Sequence, residues 1–350
     1  MELETILKSA AEKKASDIFI VVGQPITYKI QGILMRQEEE CLTTEMAATL
    51  VEEMYRYAEL KGMENLKTGD DDFAISLSGV GRFRTNIYRQ RGTLSAVLRV
   101  VSFLLPPYEE YHIPQRVLDF SKQKKGLILV TGTAGSGKST TLSYIIDEIN
   151  NTRNCHILTL EDPIEFLHRH KKSIVSQREI GLDTLNYHKA LRAAMRESPD
   201  VIFIGEMRDL ETIEIAMTAA ETGHLVLSTL HTVGAANTID RVIDVFPSSQ
   251  QQQIRIQLSM VLNAIVSQQL LPSTCGLRPA FEILEATSAI RTMIRDGKVH
   301  QIDSIIYSSA KEGMLSMDSS ILDLFRKGEI TAETAVSFSL NQDSMRRNVM

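Results

Sequence analysis

Cysteine is scarce. Cys41, Cys155 and Cys275 stand far apart with no C-x-x-C pair. That argues against a disulfide framework and a structural zinc site, and it suits a reducing compartment. Long apolar runs are missing too. No stretch approaches the roughly 18 apolar residues of a membrane span, and the opening MELETILKSAAEKK lacks the apolar core of a secretory signal. A cytoplasmic protein is expected, with no direct membrane insertion and any membrane link made through a partner. The third absence is basic excess. Lys and Arg number 38 against 44 Asp and Glu, a net charge of −6, so no global positive field favours nucleic acid and none is expected as a partner. Hydrophobic residues make up 43% and charged ones 23% of 350 positions, an ordinary globular composition with length for about two domains.

The chain is organised around Gly126 to Thr141, GLILVTGTAGSGKSTT. Leu127 to Val130 is a short apolar run between glycines, as a buried parallel strand looks. Gly132-Thr133-Ala134-Gly135-Ser136-Gly137-Lys138-Ser139 then satisfies G-x-x-x-x-G-K-[ST] at every fixed position, and Lys138 to Asn151 reads as a helix. Glycines let the backbone curl so that successive N–H groups meet phosphate oxygens, and a helix N-terminus adds its positive dipole end. Gly132 through Ser139, with Thr140, are therefore expected to cradle the phosphates of ATP. Lys138 would reach the β- and γ-phosphates, and the Ser139 hydroxyl would ligate Mg²⁺. A chance match in a glycine-rich turn does not explain the strand before it and the helix after it.

Before this stretch the pattern is a small α+β domain. Residues 2–14 predict an amphipathic helix, 16–23 a strand, 28–34 a second strand, and 43–57 a helix capped by Thr43 or Thr44. Further strands are expected at 73–77, 82–91 and 94–101. Paired prolines in Leu104-Leu105-Pro106-Pro107-Tyr108 mark a linker, assigned to residues 104–119. From residue 120 onward strands (156–160, 201–204, 225–230) alternate with helices (185–196, 210–221, 235–242), the pattern of a parallel sheet with crossover helices. A longer helix is expected over 248–271, and short helices fill most of the region from about 280 to the end. The expected domains are 1–103 and 120–350.

Ligands of an open α/β sheet sit at the carboxyl ends of its strands. Glu161 and Glu165 follow one predicted strand, Glu206 another, and His231 a third, with His224 just before that third strand. A carboxylate there can orient the attacking water or hold Mg²⁺ through water. Glu206 is the first choice for orienting water, and Glu165 and Glu161 follow in open order. His224 and His231 lie roughly 23 Å apart if the segment is extended, too far to share a metal. One or both are read as reporting the γ-phosphate. His168 and His170, in a polar loop, are read as solvated.

At these residues a family resemblance emerges. GTAGSGKSTT, LEDPIEF (160–166), VIFIGEMRDLETI (201–213) and ETGHLVLSTLH (221–231) resemble the phosphate-loop, Asp, Walker B and His boxes of secretion-type ATPases. The match is nearest to the type IV pilus retraction motors, the PilT/PilU group, and AIRTMIRDGK (289–298) resembles their C-terminal AIRNLIRE element. IVSQREIGLDT (174–184) looks like PilU and GEMRDLETI like PilT, so the subgroup stays open. The resemblance implies a PAS-like N-terminal domain, a RecA-like ATPase domain with a helical C-terminal region, and a ring hexamer with ATP between subunits. It also implies that Arg82, Arg84 and Arg99 reach phosphate from the first domain. Implied partners are an inner-membrane pilus platform protein and a paralogous pilus ATPase, with the motor peripheral to the inner face of the membrane. Pilus retraction, and with it twitching motility, is the expected function. An assembly or export ATPase is the same-fold alternative, disfavoured by the short start and the lack of a four-cysteine element. A RecA-like DNA motor is disfavoured by charge, and a nucleotide-regulated scaffold would lack turnover.

Overall fold

A computed structural model describes residues 2–30, 32–37, 40–60, 69–101, 105, 108–274 and 276–349. It divides the chain into two units, Met1–Leu104 with Ile164–Leu167, and Leu105–Pro163 with His168–Met350.

The first unit holds α1 (Leu3–Glu12), β1 (Asp17–Ile20), β2 (Thr27–Ile30), β3 (Ile33–Arg36), α2 (Thr44–Tyr57), β4 (Asp71–Leu77), β5 (Gly81–Gln90) and β6 (Thr93–Val101). The strands form a six-stranded sheet in the order β3-β2-β1-β6-β5-β4, with every neighbouring pair antiparallel. Alternation in the sequence decides which face is covered. Phe83, Thr85 and Ile87 of β5 are buried, while Arg82, Arg84 and Asn86 point to the other face. Ile18, Ile20, Phe83, Ile87 and Leu98 pack with Leu3, Leu7, Leu50 and Met54 of the two helices. Burying each such side chain contributes about 1.5–3 kcal/mol. Thr43 Oγ1 accepts the Met46 N–H at 3.2 Å and caps α2. The single strand expected over 28–34 is instead a hairpin, with Ile30 opposite Ile33. Gly32, at φ +82°, adopts the left-handed backbone that so tight a reversal needs and glycine allows.

Leu104, Pro106 and Pro107 of the expected linker lie outside the described residues. Its remainder is not extended chain. Tyr108–Tyr111 (α3) and Gln115–Leu118 (α4) are helical, and Ile113 and Val117 are buried in a core of the second unit.

That unit is built on a seven-stranded sheet, β13-β12-β7-β11-β10-β8-β9. The strands are β7 (Gly126–Thr131), β8 (His156–Glu161), β9 (Ile174–Glu179), β10 (Val201–Ile204), β11 (Leu225–Leu230), β12 (Leu262–Ser273) and β13 (Gly276–Glu285). All neighbours are parallel except β12 and β13. Every residue of β7, β10 and β11 is buried, as continuous apolar runs covered on both faces require. On one face lie α5 (Lys138–Thr152) and α4; on the other pack α6 (Tyr187–Ala194), α7 (Leu210–Glu221), α8 (Ala235–Asp244) and α9 (Ser248–Val261). This is the α/β architecture that the sequence predicts.

Three elements differ from expectation. The helix expected to run to Leu271 stops at Val261, and the chain continues as β12 beside β7. Leu262, Ala264, Ile265 and Val266 suit a buried strand as well as a helix face, and pairing with β7 decides between them. β13 occupies a stretch expected to be helical, and β9 was not anticipated. Beyond β13 come α10 (Ser288–Arg295), α11 (Ile302–Ser308), α12 (Met317–Arg326), α13 (Ala332–Phe338) and α14 (Gln342–Val349). Buried Glu282 of β13 accepts the Ala235 N–H at the start of α8 at 2.7 Å, and the Met317 backbone at the start of α12 also favours its ionised form. Among the described residues no helix is long and apolar enough to cross a membrane.

Candidate active site

β7 leaves the sheet at Thr131, and α5 begins at Lys138 after six intervening residues. The loop between them turns on Gly132, Gly135 and Gly137, at φ +145°, +76° and +88°. The three glycines serve different needs. A Cβ at Gly132 would come within 2.2 Å of the Gln268 carbonyl oxygen, and one at Gly137 within 2.8 Å of Gln268 Nε2, whereas one at Gly135 would meet nothing within 4 Å. No side chain caps α5, so the first-turn N–H groups and the positive dipole end are directed at the loop. Lys138 is only 8% exposed, and its Nζ donates to the carbonyls of Gly132 and Thr133, both at 2.8 Å. A curled loop, an uncapped helix start and a buried ammonium together fit a polyphosphate. Ser139 and Thr140 are half-buried in the first turn of α5, and Ser136 is buried.

The parallel register brings two further strand ends to this loop. Leu230 of β11 lies opposite Thr131 of β7, and Ser228 opposite Ile204 of β10. Past these pairs come His231 and Glu206. Lys138 Nζ stands 3.5 Å from His231 Nδ1, His231 Nε2 3.0 Å from Glu206 Oε1, and Arg208 Nη2 2.8 Å from Glu206 Oε2. An ammonium can only donate, so Nδ1 accepts and Nε2 carries the proton it offers to Glu206. Burial alone would raise the Glu206 carboxyl, but the Arg208 guanidinium and the His231 ring outweigh it and hold it below the ordinary carboxylate range. The carboxylate is therefore ionised and aimed by two donors.

The other candidates are placed differently. Glu161 is buried at the end of β8, where Oε1 accepts from Thr159 Oγ1 at 2.7 Å and Gln177 Nε2 at 3.2 Å. Glu165 is exposed and falls in Ile164–Leu167, which groups with the first unit. His224 does not join His231: it precedes β11, at the end of the sheet away from the loop, and its Nδ1 lies 3.0 Å from the Ala219 carbonyl. Of the two histidines expected to report the γ-phosphate, singly or together, the structure brings His231 alone to the loop, and His224 stands at the other end of the strand. His168 is half-buried rather than solvated, and burial pushes its ring down to about 4. In the first unit Arg84 is exposed on β5 opposite Arg99 of β6. Arg99 is paired with Asp17 at 3.1 Å, and Arg82 donates to Ser76 Oγ at 3.3 Å.

Arg208 and Tyr187 were not singled out from the sequence. Arg208 lies two residues past Glu206, but nothing in its neighbourhood distinguishes a side chain that turns back from one that points to solvent. The Tyr187 hydroxyl would lie 2.9 Å from a Cβ at Gly205. Burial, with Asp162, Glu161 and Glu206 nearby, pushes the phenol up.

A protein-family model described as type II/IV secretion system protein matches residues 1–298. The type IV pilus retraction ATPase PilT of Pseudomonas aeruginosa is 42% identical over 336 residues, covering 96% of this chain and 97% of that one. The type IV pilus ATPase PilU of the same organism is 37% identical over 348 residues, covering 99% and 91%. A crystal structure of the pilus retraction motor PilT with bound ADP superposes with a TM-score of 0.86 at 43% identity and covers 99% of both chains.

The depressed Glu206 carboxyl fixes the sign of a pH effect. Its ion pairs stabilise the fold above the unfolded-state value of 4.5 and are lost as pH falls through the lower native value. The unaltered chain should therefore be more stable than Glu206→Gln near neutrality, and the gap should close on acidification below that value. A gap in melting temperature that stays constant from about pH 7 to about pH 3 would show that the carboxylate is not held ionised by its neighbours.

Proposed function

The chain belongs to the type II/IV secretion system protein family, and from that premise we propose that it is an ATP-hydrolysing motor of type IV pilus retraction. One observation carries the chemistry: the ends of β7, β10 and β11 bring Lys138, Glu206 and His231 into one hydrogen-bonded chain on the phosphate loop. Similarity to retraction motors along nearly the whole chain supports the biological role.

In this reading Lys138 exchanges its two loop carbonyls for phosphate oxygens. Glu206, already ionised and oriented by Arg208 and His231, aligns the attacking water. His231 touches both the ammonium and the carboxylate, so it is placed to report γ-phosphate to Glu206. The Ser139 hydroxyl would hold Mg²⁺, which neutralises phosphate charge. Among the described residues no cluster of three or more His, Cys, Asp or Glu could hold a metal alone, and one hydroxyl suits an ion that arrives on phosphates. Glu161 and Glu165 are proposed as supporting carboxylates. The proposed assembly is a hexameric ring at the inner face of the cell membrane, bound to a pilus platform protein and working beside a paralogous ATPase. Exposed Arg84 acts there on nucleotide held by a neighbouring subunit, and Arg82 and Arg99 accompany it.

Purified Lys138→Ala should hydrolyse no ATP, and Glu206→Gln should still bind it while turnover drops about 10²-fold or more. Wild-type turnover in the first would remove the phosphate-loop assignment; activity within about twofold in the second would move the water-orienting role to Glu165 or Glu161. In cells, replacing the gene by its Lys138→Ala form should leave persistent, unretracted pili under light microscopy, whereas missing pili would identify an assembly motor. The shared site has its own check. Arg84→Ala and Lys138→Ala proteins, each inactive, should partly restore activity when mixed under subunit exchange; activity equal to their sum despite exchange would exclude a trans role for Arg84.

A further inference from the structure

We infer that Gln268 is a positioning residue for nucleotide binding: from β12 it holds both ends of the phosphate loop and the first turn of α5 in their curled form. This rests on the nucleotide-site reading above and adds a residue from a strand outside the motif.

The register shows why Gln268 is the residue in question. Ser267 lies opposite Thr131, the last residue of β7. Gln268 is one step further along β12, where β7 has already left the sheet, so it flanks the loop instead of a strand. There it makes three close approaches. Its carbonyl oxygen occupies the space beside Gly132, where a Cβ would come within 2.2 Å. Its Nε2 lies beside Gly137, where a Cβ would come within 2.8 Å. Its Oε1 accepts the Thr141 hydroxyl at 2.7 Å. Gln268 and Thr141 are 3% and 1% exposed.

The chemistry suits an amide. A carboxylate here would accept from Thr141 but set a negative charge behind the phosphates, and an aliphatic side chain would fill the space without accepting. Glutamine accepts, fills and stays neutral. Two of the glycines in the motif thus do more than permit positive φ: they leave room for Gln268. A loop held this way loses little further freedom when it closes on phosphate, and preorganisation of that kind appears as affinity. Losing the bond leaves the buried Thr141 hydroxyl without its Gln268 acceptor and the helix start without its lateral tie.

Full-length chains carrying Gln268→Leu, Thr141→Val, both changes, or Thr141→Ser are titrated with a fluorescent ADP analogue, and their melting temperatures are measured alongside. Each of the first two should raise the dissociation constant about five- to tenfold. The double variant should be no weaker than the weaker single, and Thr141→Ser should stay within about twofold of the unaltered chain. If Gln268→Leu does not fold, Thr141→Val probes the same bond without touching β12. Singles that bind within about twofold of the unaltered chain, effects that multiply in the double, or a lowered melting temperature at unchanged affinity would each overturn the inference while leaving the nucleotide site intact. No binding by the unaltered chain would overturn both.

Discussion

Six parallel strands whose registers are locked together impose one condition on the rest of the second unit: whatever follows each apolar run emerges on the same edge. Leu160 stands opposite Ile204, Ile204 opposite Ser228, and Leu230 opposite Thr131. The backbone hydrogen bonds that set these pairs know nothing of catalysis, yet they decide that residues 132, 161, 206 and 231 come out together. A slip of one residue in any pair would turn a side chain to the opposite face. The site is thus specified by sheet pairing, and its loops need only supply the right atoms at a place already chosen.

Charge is arranged along that edge so that no member is stranded. Lys138 is nearly buried and would be costly alone, but two carbonyls and the His231 ring accept from it. Glu206 is satisfied on both oxygens by partners of different reach, a ring fixed at a strand end and an exposed guanidinium. The His231 ring stands between cation and anion, within 3.5 Å of the one and 3.0 Å of the other, and keeps them from collapsing into a direct ion pair. Such a pair would leave neither free for phosphate or water.

Local reasons made much of this legible. The loop glycines, Lys138 and the runs at β7, β10 and β11 announce themselves within a few residues, and α7 is bracketed by its Asp209 cap and Gly223. What escaped depends on distant partners. Ile254, Leu258, Val261, Leu262 and Ile265 keep helical spacing across the junction of α9 and β12, so no local signal marks the change; pairing with β7 does. For the same reason Gln268 lay hidden inside an expected helix. Arg208 and His168 owe their roles to what packs against them, which composition cannot report. The hairpin of β2 and β3 was signalled by Gly32 alone.

Glu282 joins two parts of the second unit that are distant in sequence. One buried carboxyl takes the backbone N–H at the start of α8 and interacts with the Met317 backbone at the start of α12, and those helices belong to separate stretches of chain. The segment leading into α8 begins at His231. If that segment shifted while α12 stayed, the buried carboxyl would lose a donor, a penalty of a few kcal/mol. The starts of α8 and α12 are thereby tied to one buried residue of β13, so the segment after His231 and the C-terminal helices do not take up their positions independently.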